Sequence, residues 1–173
     1  MKHCTVILKV IFILWCMSVS CNTFAQSTMQ ISDNEKRIIT LAPHLTELVF
    51  LLNEDSHLVA VSDYSDYPVA ASQLPSVASY TGLDFSAIIK ARPTHILAWE
   101  GGNKPQDIAK LLSLGFNVLS QRTTSLNDIG RNITELGNFL DASIASVVSR
   151  QFDRRLKQLK STYHSRKPQS VFY

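Results

Sequence analysis

The sequence predicts an α/β fold, with a mostly parallel sheet flanked by helices, followed by a long helix. Three observations predict it. From Arg37 onward, short β-rich runs alternate with helical stretches. The β-rich runs are almost continuously apolar, as strands covered on both faces are. From Asp141 the apolar residues recur every three or four positions, which is one amphipathic helix.

Each element has its own signal. Residues 38–41 (Ile-Ile-Thr-Leu) form a buried-strand candidate. Pro43 sits near a helix start, where its missing N–H costs nothing, and Thr46, Glu47, Val49, Phe50 and Leu52 continue that helix. Residues 58–61 form the second strand, and 62–68 a polar-aromatic loop. A further loop carries Tyr80 and Gly82, and a short helix over 85–91 is stopped by Pro93. Residues 94–98 form a strand that runs into Trp99, Gly101, Gly102 and Asn103. The next helix spans 105–114, with Gly115 as its left-handed C′ residue. A strand over 116–119 and a helix over 126–140 close the set. Beyond Asp141, Ile144, Val147, Val148, Phe152, Leu156, Leu159 and Tyr163 share one helix face, and Arg150, Arg154, Arg155, Lys157 and Lys160 occupy the rest. That pattern fits a helix of roughly 22 residues, about 33 Å long. A polar hinge over 165–170 leads to a strand-like start at Val171.

Composition bounds the function. The chain has 173 residues, 45% hydrophobic and 18% charged, with formal charge +3, enough for one domain or one lobe of a larger protein. The small charge gives no reason to invoke nucleic acid. Without Lys2 and Lys9, 15 basic residues face 14 acidic ones. Those two lysines, the apolar run over residues 10–19, and small residues at Thr23 and Ala25 make residues 1–25 a secretory signal peptide, cleaved after Ala25. The alternatives are an uncleaved anchor, for which the run is short, and lipidation of Cys21, which lacks the usual leucine three places earlier. Either way the remainder is exported. Cys4, Cys16 and Cys21 all lie in this stretch, which excludes a disulfide scaffold, a zinc-thiolate site and a cysteine enzyme for the rest. Residues 26–36 read as an exposed flexible arm.

Signatures of common chemistry are missing. No Gly-rich phosphate loop, Gly-x-Gly-x-x-Gly or Gly-x-Ser-x-Gly occurs. A hydrolase pairing Ser62 or Ser65 with His57 stays open as a small exported enzyme. His44, Glu47 and His95 lack the converging partners a metal requires. Asp63 and Asp66 are a candidate carboxylate pair, but in a Ser/Asp-rich turn such residues more often bond the local backbone. The Asn132 sequon falls inside a helix. The aromatic loops differ. In open sheets, ligands sit outside the carboxyl ends of the strands. Tyr64, Tyr67 and Trp99 occupy or adjoin such loops, and Tyr80 a neighbouring one. Flat amphipathic rings there suit a large, partly apolar ligand bound through contact area; plain loop packing is the other reading.

Three stretches taken together carry a resemblance: Arg37-Ile-Ile-Thr-Leu-Ala-Pro43 with Thr46-Glu-Leu48, Val61-Ser-Asp-Tyr-Ser-Asp-Tyr-Pro68, and Ala91-Arg-Pro-Thr-His-Ile-Leu-Ala-Trp-Glu-Gly-Gly-Asn103. They resemble the periplasmic substrate-binding proteins of cobalamin and iron-siderophore importers, the cobalamin binders most closely. The resemblance covers about 37–140. It implies a Rossmann-like N-terminal lobe over 37–140, an inter-lobe helix over 141–165, and a hinge with the truncated start of a missing second lobe over 166–173. It implies no enzyme and no cofactor. Cobalamin, or a related corrinoid, is the transported ligand, captured non-covalently in the periplasm and handed to the permease of an ABC transporter, by a protein that is a monomer when both lobes are present. A ferric siderophore or haem is the alternative cargo. Tyr64 and Trp99 match ring positions that contact the corrinoid, and Tyr80 stands where a close relative has tryptophan. Gly101, Gly102 and Asn103 complete the ligand-binding set. Ser86 stands where the family presents an acid to the transporter, and Asp84 is a substitute for it. No metal site is implied.

Overall fold

The computed structural model describes residues 35–167, 169 and 170. The signal peptide, the lipidation candidate Cys21, most of the arm and the strand-like start at Val171 lie outside the described residues.

Six strands form one sheet: β1 (Ile38–Thr40), β2 (Leu58–Ser62), β3 (Ser76–Ser79), β4 (Gly82–Leu83), β5 (His95–Trp99) and β6 (Val118–Gln121), in the order β4-β3-β2-β1-β5-β6. All neighbours pair in parallel except β3 and β4, which form an antiparallel edge hairpin. Among the described residues five α-helices accompany them: α1 (Pro43–Leu51), α2 (Phe85–Ala91), α3 (Pro105–Ser113), α4 (Leu126–Phe139) and α5 (Ala145–Tyr163).

The central strands β1, β2 and β5 are mostly apolar because both faces are covered. On one face Ile38, Leu58, Val61 and Leu97 pack against Leu45 and Val49 of α1 and Ile133 and Leu136 of α4. On the other, Ile39, Ala60, Ile96 and Ala98 pack against Ile88 of α2 and Leu111 of α3. Adjacent residues of β1 and β5 thus serve opposite layers, as the two-residue pleat demands.

Local chemistry sets the boundaries. Pro43 and Pro105 open α1 and α3. Asp84 caps α2 by accepting from the Ala87 N–H at 2.9 Å. Arg92, left-handed at φ 46°, closes that helix before Pro93. Gly115 takes the left-handed conformation (φ 83°) expected of it. The start of α4 is a capping box between Ser125 and Asp128. Asp128 also accepts from Thr124, and these hydrogen bonds, led by the Thr124 backbone, hold its carboxyl at about 2.

Several sequence expectations shift. The loop expected around Tyr80 and Gly82 is the β3–β4 hairpin. Strand β6 starts two residues later than expected, because Phe116 packs into the α2/α3 layer and the Asn117 carbonyl takes the first ladder bond from Ile96. The last helix has 19 residues, about 28 Å at 1.5 Å each, and begins at Ala145. Asp141, left-handed at φ 54°, turns the chain after α4, and the Ala142 N–H closes that end on Gly137 O at 2.8 Å. Helix α5 then returns along α4 at close range. A Cβ on Gly137 would lie 1.9 Å from Ala145 Cβ, so only glycine admits this contact. The expected apolar stripe divides: Ile144, Val148 and Phe152 pack onto the core, whereas Val147, Leu159 and Tyr163 are exposed. The end of the arm is anchored, since Lys36 bonds both Glu54 (2.9 Å) and the Leu140 carbonyl.

Candidate functional site

The carboxyl ends of β1, β2 and β5 and the tip of the β3–β4 hairpin meet at one edge of the sheet. They surround a concavity of about 260 Å³. Tyr64, Tyr80, Trp99, Gly102 and Asn103 line it together, with Pro43 at the start of α1. Gly101 does not line it.

Each aromatic side chain is set by its own local structure. Tyr64 is 80% exposed and left-handed (φ 63°), an unusual backbone for a bulky residue. Its loop is fastened from below by a buried chain of hydroxyls. Thr40 Oγ1 lies 2.6 Å from Thr46 Oγ1, which lies 3.1 Å from Ser65 Oγ, which lies 3.1 Å from Ser62 Oγ. Asp63 adds a bond from Ser76 Oγ. Tyr80, 90% exposed, stands on the hairpin turn. That turn is held by Ser79 and Thr81, whose hydroxyls are 2.6 Å apart, and by Lys104, which donates to the Thr81 carbonyl.

Trp99 ends β5 and is partly buried. The backbone of Gly101 and Gly102 wraps its indole: added Cβ atoms would lie 2.6 Å and 2.3 Å from the ring. His44 meets the ring edge-on at 5.2 Å. Burial lowers the His44 pKa, Glu47 opposing, which favours the neutral imidazole. Asn103 secures the loop's root. Its Oδ1 accepts from the Trp99 N–H at 2.7 Å, and its Nδ2 donates to the Leu41 carbonyl at 2.9 Å. The amide of Asn103 is therefore committed to the backbone, and Gly101 and Gly102 act by seating Trp99.

The arrangement does not support the hydrolase alternative. His57 precedes β2 and pairs with Glu54 at 3.1 Å, while Ser62 ends that strand, about 16 Å away at strand spacing. Ser62 and Ser65 are buried in the hydroxyl chain. Among the described residues no cluster of three metal-ligating side chains occurs, and no helix is long and apolar enough to cross a membrane. Asn132 is 5% exposed and donates to Arg122 O and Thr123 Oγ1, so its sequon faces the interior. Asp84 and Ser86 are both exposed at the start of α2, Asp84 as its cap.

Pro43 and His44 belong to the segment 42–45 that the sequence order sets at the carboxyl end of the first strand, but their parts in the site were not anticipated. Nor was the hydroxyl chain, whose only signal is its polar residues, Thr40, Thr46, Ser62 and Ser65.

The sequence profile of the family described as "Periplasmic binding protein" matches residues 38–173. The vitamin B12-binding protein of Vibrio cholerae serotype O1 is 37% identical over 139 residues, 80% of this chain and 50% of that protein. The solved periplasmic vitamin B12 binding protein of Vibrio cholerae is similar with TM-score 0.73 at 37% identity, covering 77% of this chain and 52% of that one. A periplasmic heme binding protein from Pseudomonas aeruginosa is similar with TM-score 0.67 at 25% identity, covering 75% of this chain and 47% of that one. The chain spans about half the length of the curated relatives it matches.

Proposed function

The chain belongs to the periplasmic binding protein family, and from that premise we propose that it is the N-terminal lobe, over 37–140, and inter-lobe helix of a cobalamin-binding protein. It is a binding component and not an enzyme. It captures a corrinoid non-covalently in the periplasm for delivery to the permease of an ABC transporter. The corrinoid is cargo, and no cofactor is required.

The observation that carries this reading is the set of three rings, Tyr64, Tyr80 and Trp99, around one concavity at the carboxyl edge of the sheet. Rings of this kind grip a broad flat ligand through area and offer no charge to it. The names of the 37%-identical relatives point to the same cargo. A concavity of about 260 Å³ covers only part of a corrinoid, whereas complete sites bury most of their ligand. The lobe alone therefore binds weakly, and the second side of the cleft comes from another lobe. Docking to the permease uses the α2 start, with Asp84 supplying the acidic group that Ser86 lacks.

Haem or a ferric siderophore is the second reading, favoured by the similarity to heme-binding structures. Difference absorption spectra with cyanocobalamin, haemin and a ferric siderophore decide between them. Cobalamin bands that shift saturably, with little change for the other two, are expected. A response to haemin or the siderophore alone overturns the cobalamin reading.

A further inference from the structure

The charges of this chain are segregated. Between residues 35 and 149, 8 basic residues face 12 acidic ones, a balance of −4. Between residues 150 and 167, 7 basic residues face Asp153 alone, a balance of +6. That second stretch is most of α5 and the residues just after it.

The helix turns one side to the lobe. Ala145 and Ser149 are buried, Val148 and Phe152 pack on the core, and Ser149 Oγ donates to Gly130 O at 2.7 Å. Leu156, Leu159 and Tyr163 continue that side along the helix. In the reading above, a second lobe meets the helix there. At about 100° per residue, Arg150, Arg154 and Lys157 fall on the opposite side, and all three are exposed. They lie along a line about 10 Å long. Among the described residues, none of the three takes part in a salt bridge. Asp153, the one acid of the stretch, is turned against α4: a Cβ on Gly130 would lie 2.3 Å from its Oδ1. The outward side of α5 thus presents positive charge that no carboxylate of the lobe neutralises.

We propose that this outward side is a docking surface for an anionic phospholipid bilayer; that such a bilayer lies beside the chain rests on the periplasmic reading above. Charge complementarity selects the partner. Clusters of about four to eight Lys and Arg on an amphipathic helix bind such surfaces. The guanidinium groups of Arg150 and Arg154 suit phosphate headgroups, which accept two parallel N–H bonds. Geometry favours a flat sheet over an acidic peptide or polymer. The contact runs along one straight line, and the rest of the lobe, at −4, is repelled from the same surface. The chain then rests on the bilayer by α5 alone. No residue of α5 lines the ring-lined concavity, so docking leaves that site open to its cargo.

Co-sedimentation with lipid vesicles tests this, using the exported form from Gln26 onward. Phosphatidylcholine vesicles with about 30% phosphatidylglycerol should bind it saturably at about 0.01 M salt, and pure phosphatidylcholine vesicles should not. About 1 M salt should release it, because the screening length falls from about 30 Å to about 3 Å. Each cation at such a surface is worth about fivefold, so Arg150→Gln/Arg154→Gln/Lys157→Gln should bind about a hundredfold more weakly. Lys90→Gln/Lys110→Gln/Arg122→Gln removes the same charge from the lobe and should change binding by less than about threefold. No preference for phosphatidylglycerol, or equal losses in the two variants, overturns the docking surface. Retention on heparin without binding to vesicles also overturns it and assigns the face to an anionic polymer. Those failures leave the cargo reading standing on its own spectral test. Conversely, vesicle binding without any response to cyanocobalamin supports the docking surface and removes the corrinoid as cargo.

Discussion

Replacing Gly102 with alanine adds one methyl group and no polarity, yet it should displace the main aromatic residue of the site. The new Cβ would lie 2.3 Å from two carbons of the Trp99 indole, well inside contact distance. Gly102 does not have a positive φ, so backbone strain does not contribute. The cost is overpacking, about 1–3 kcal/mol, offset by about 0.4–1 kcal/mol from a less flexible unfolded chain. A net loss of roughly 0.5–2 kcal/mol follows, which lowers Tm by about 1–8 °C for a chain of this size. Because the ring must move, one aromatic contact with the ligand is lost, which is about 2- to 12-fold in affinity at 0.5–1.5 kcal/mol. Gly115→Ala is the control. Its Cβ would meet nothing within 4 Å, and its only penalty is φ 83°. Thermal melts and Trp99 fluorescence separate the two variants. Gly102→Ala should change both stability and emission, and Gly115→Ala stability alone. Unchanged emission and ligand affinity in Gly102→Ala would refute the idea that these glycines seat the indole.

Further expectations follow from other contacts. Asn103→Ala strands the Trp99 N–H and the Leu41 carbonyl, and should cost about 1–3 kcal/mol in a denaturant titration while loosening Trp99; a loss below about 0.5 kcal/mol would contradict its role as a tie. Gly137→Ala drives a Cβ into Ala145 and should cost about 1–3 kcal/mol, opening α5 to faster tryptic cleavage at Arg150 and Arg154; unchanged cleavage rates would contradict the close α4–α5 contact. Burial, then the nearby Lys36, lowers the His95 pKa, against Asp141 and Glu54. Folded protein therefore binds this proton less readily than unfolded chain, so stability is complete above about pH 6.5 and falls as pH drops below it. Melts between pH 7.5 and 5.5 should show this decline, and His95→Leu should flatten it; an identical slope in the variant would remove His95 as a cause.

What could be read from sequence was local, and what could not depends on distant partners. Pro43, Pro105 and Gly115 mark helix ends through their own backbone preferences, and those ends fall where expected. The stripe from Ile144 is likewise carried by spacing alone. The hairpin was missed because Ser-Val-Ala-Ser (β3) has little β signal and β4 is two residues long. A boundary at Asp141 is legible in the sequence, but the turn that delays the last helix to Ala145 is not, because an aspartate in a left-handed turn looks like any polar residue on a helix. At the site, Tyr64, Tyr80 and Trp99 were legible as large rings in loops, where no core calls for them. The tie from Asn103 to Leu41 spans 62 residues, and the hydroxyl chain joins β1, α1 and the loop after β2. Such contacts exist only once the sheet order is known.

The central claim is that the ring-lined edge of this lobe grips a corrinoid. Equilibrium dialysis with cyanocobalamin, on the native chain and on the double variant Tyr64→Ala/Trp99→Ala, addresses it most directly. The native chain should bind weakly, with Kd on the order of 0.1–1 mM, as one side of a cleft does. The double variant should bind at least about fivefold more weakly, from the loss of two ring contacts. Equal affinity of the two proteins, or no binding of cyanocobalamin by either, would contradict it.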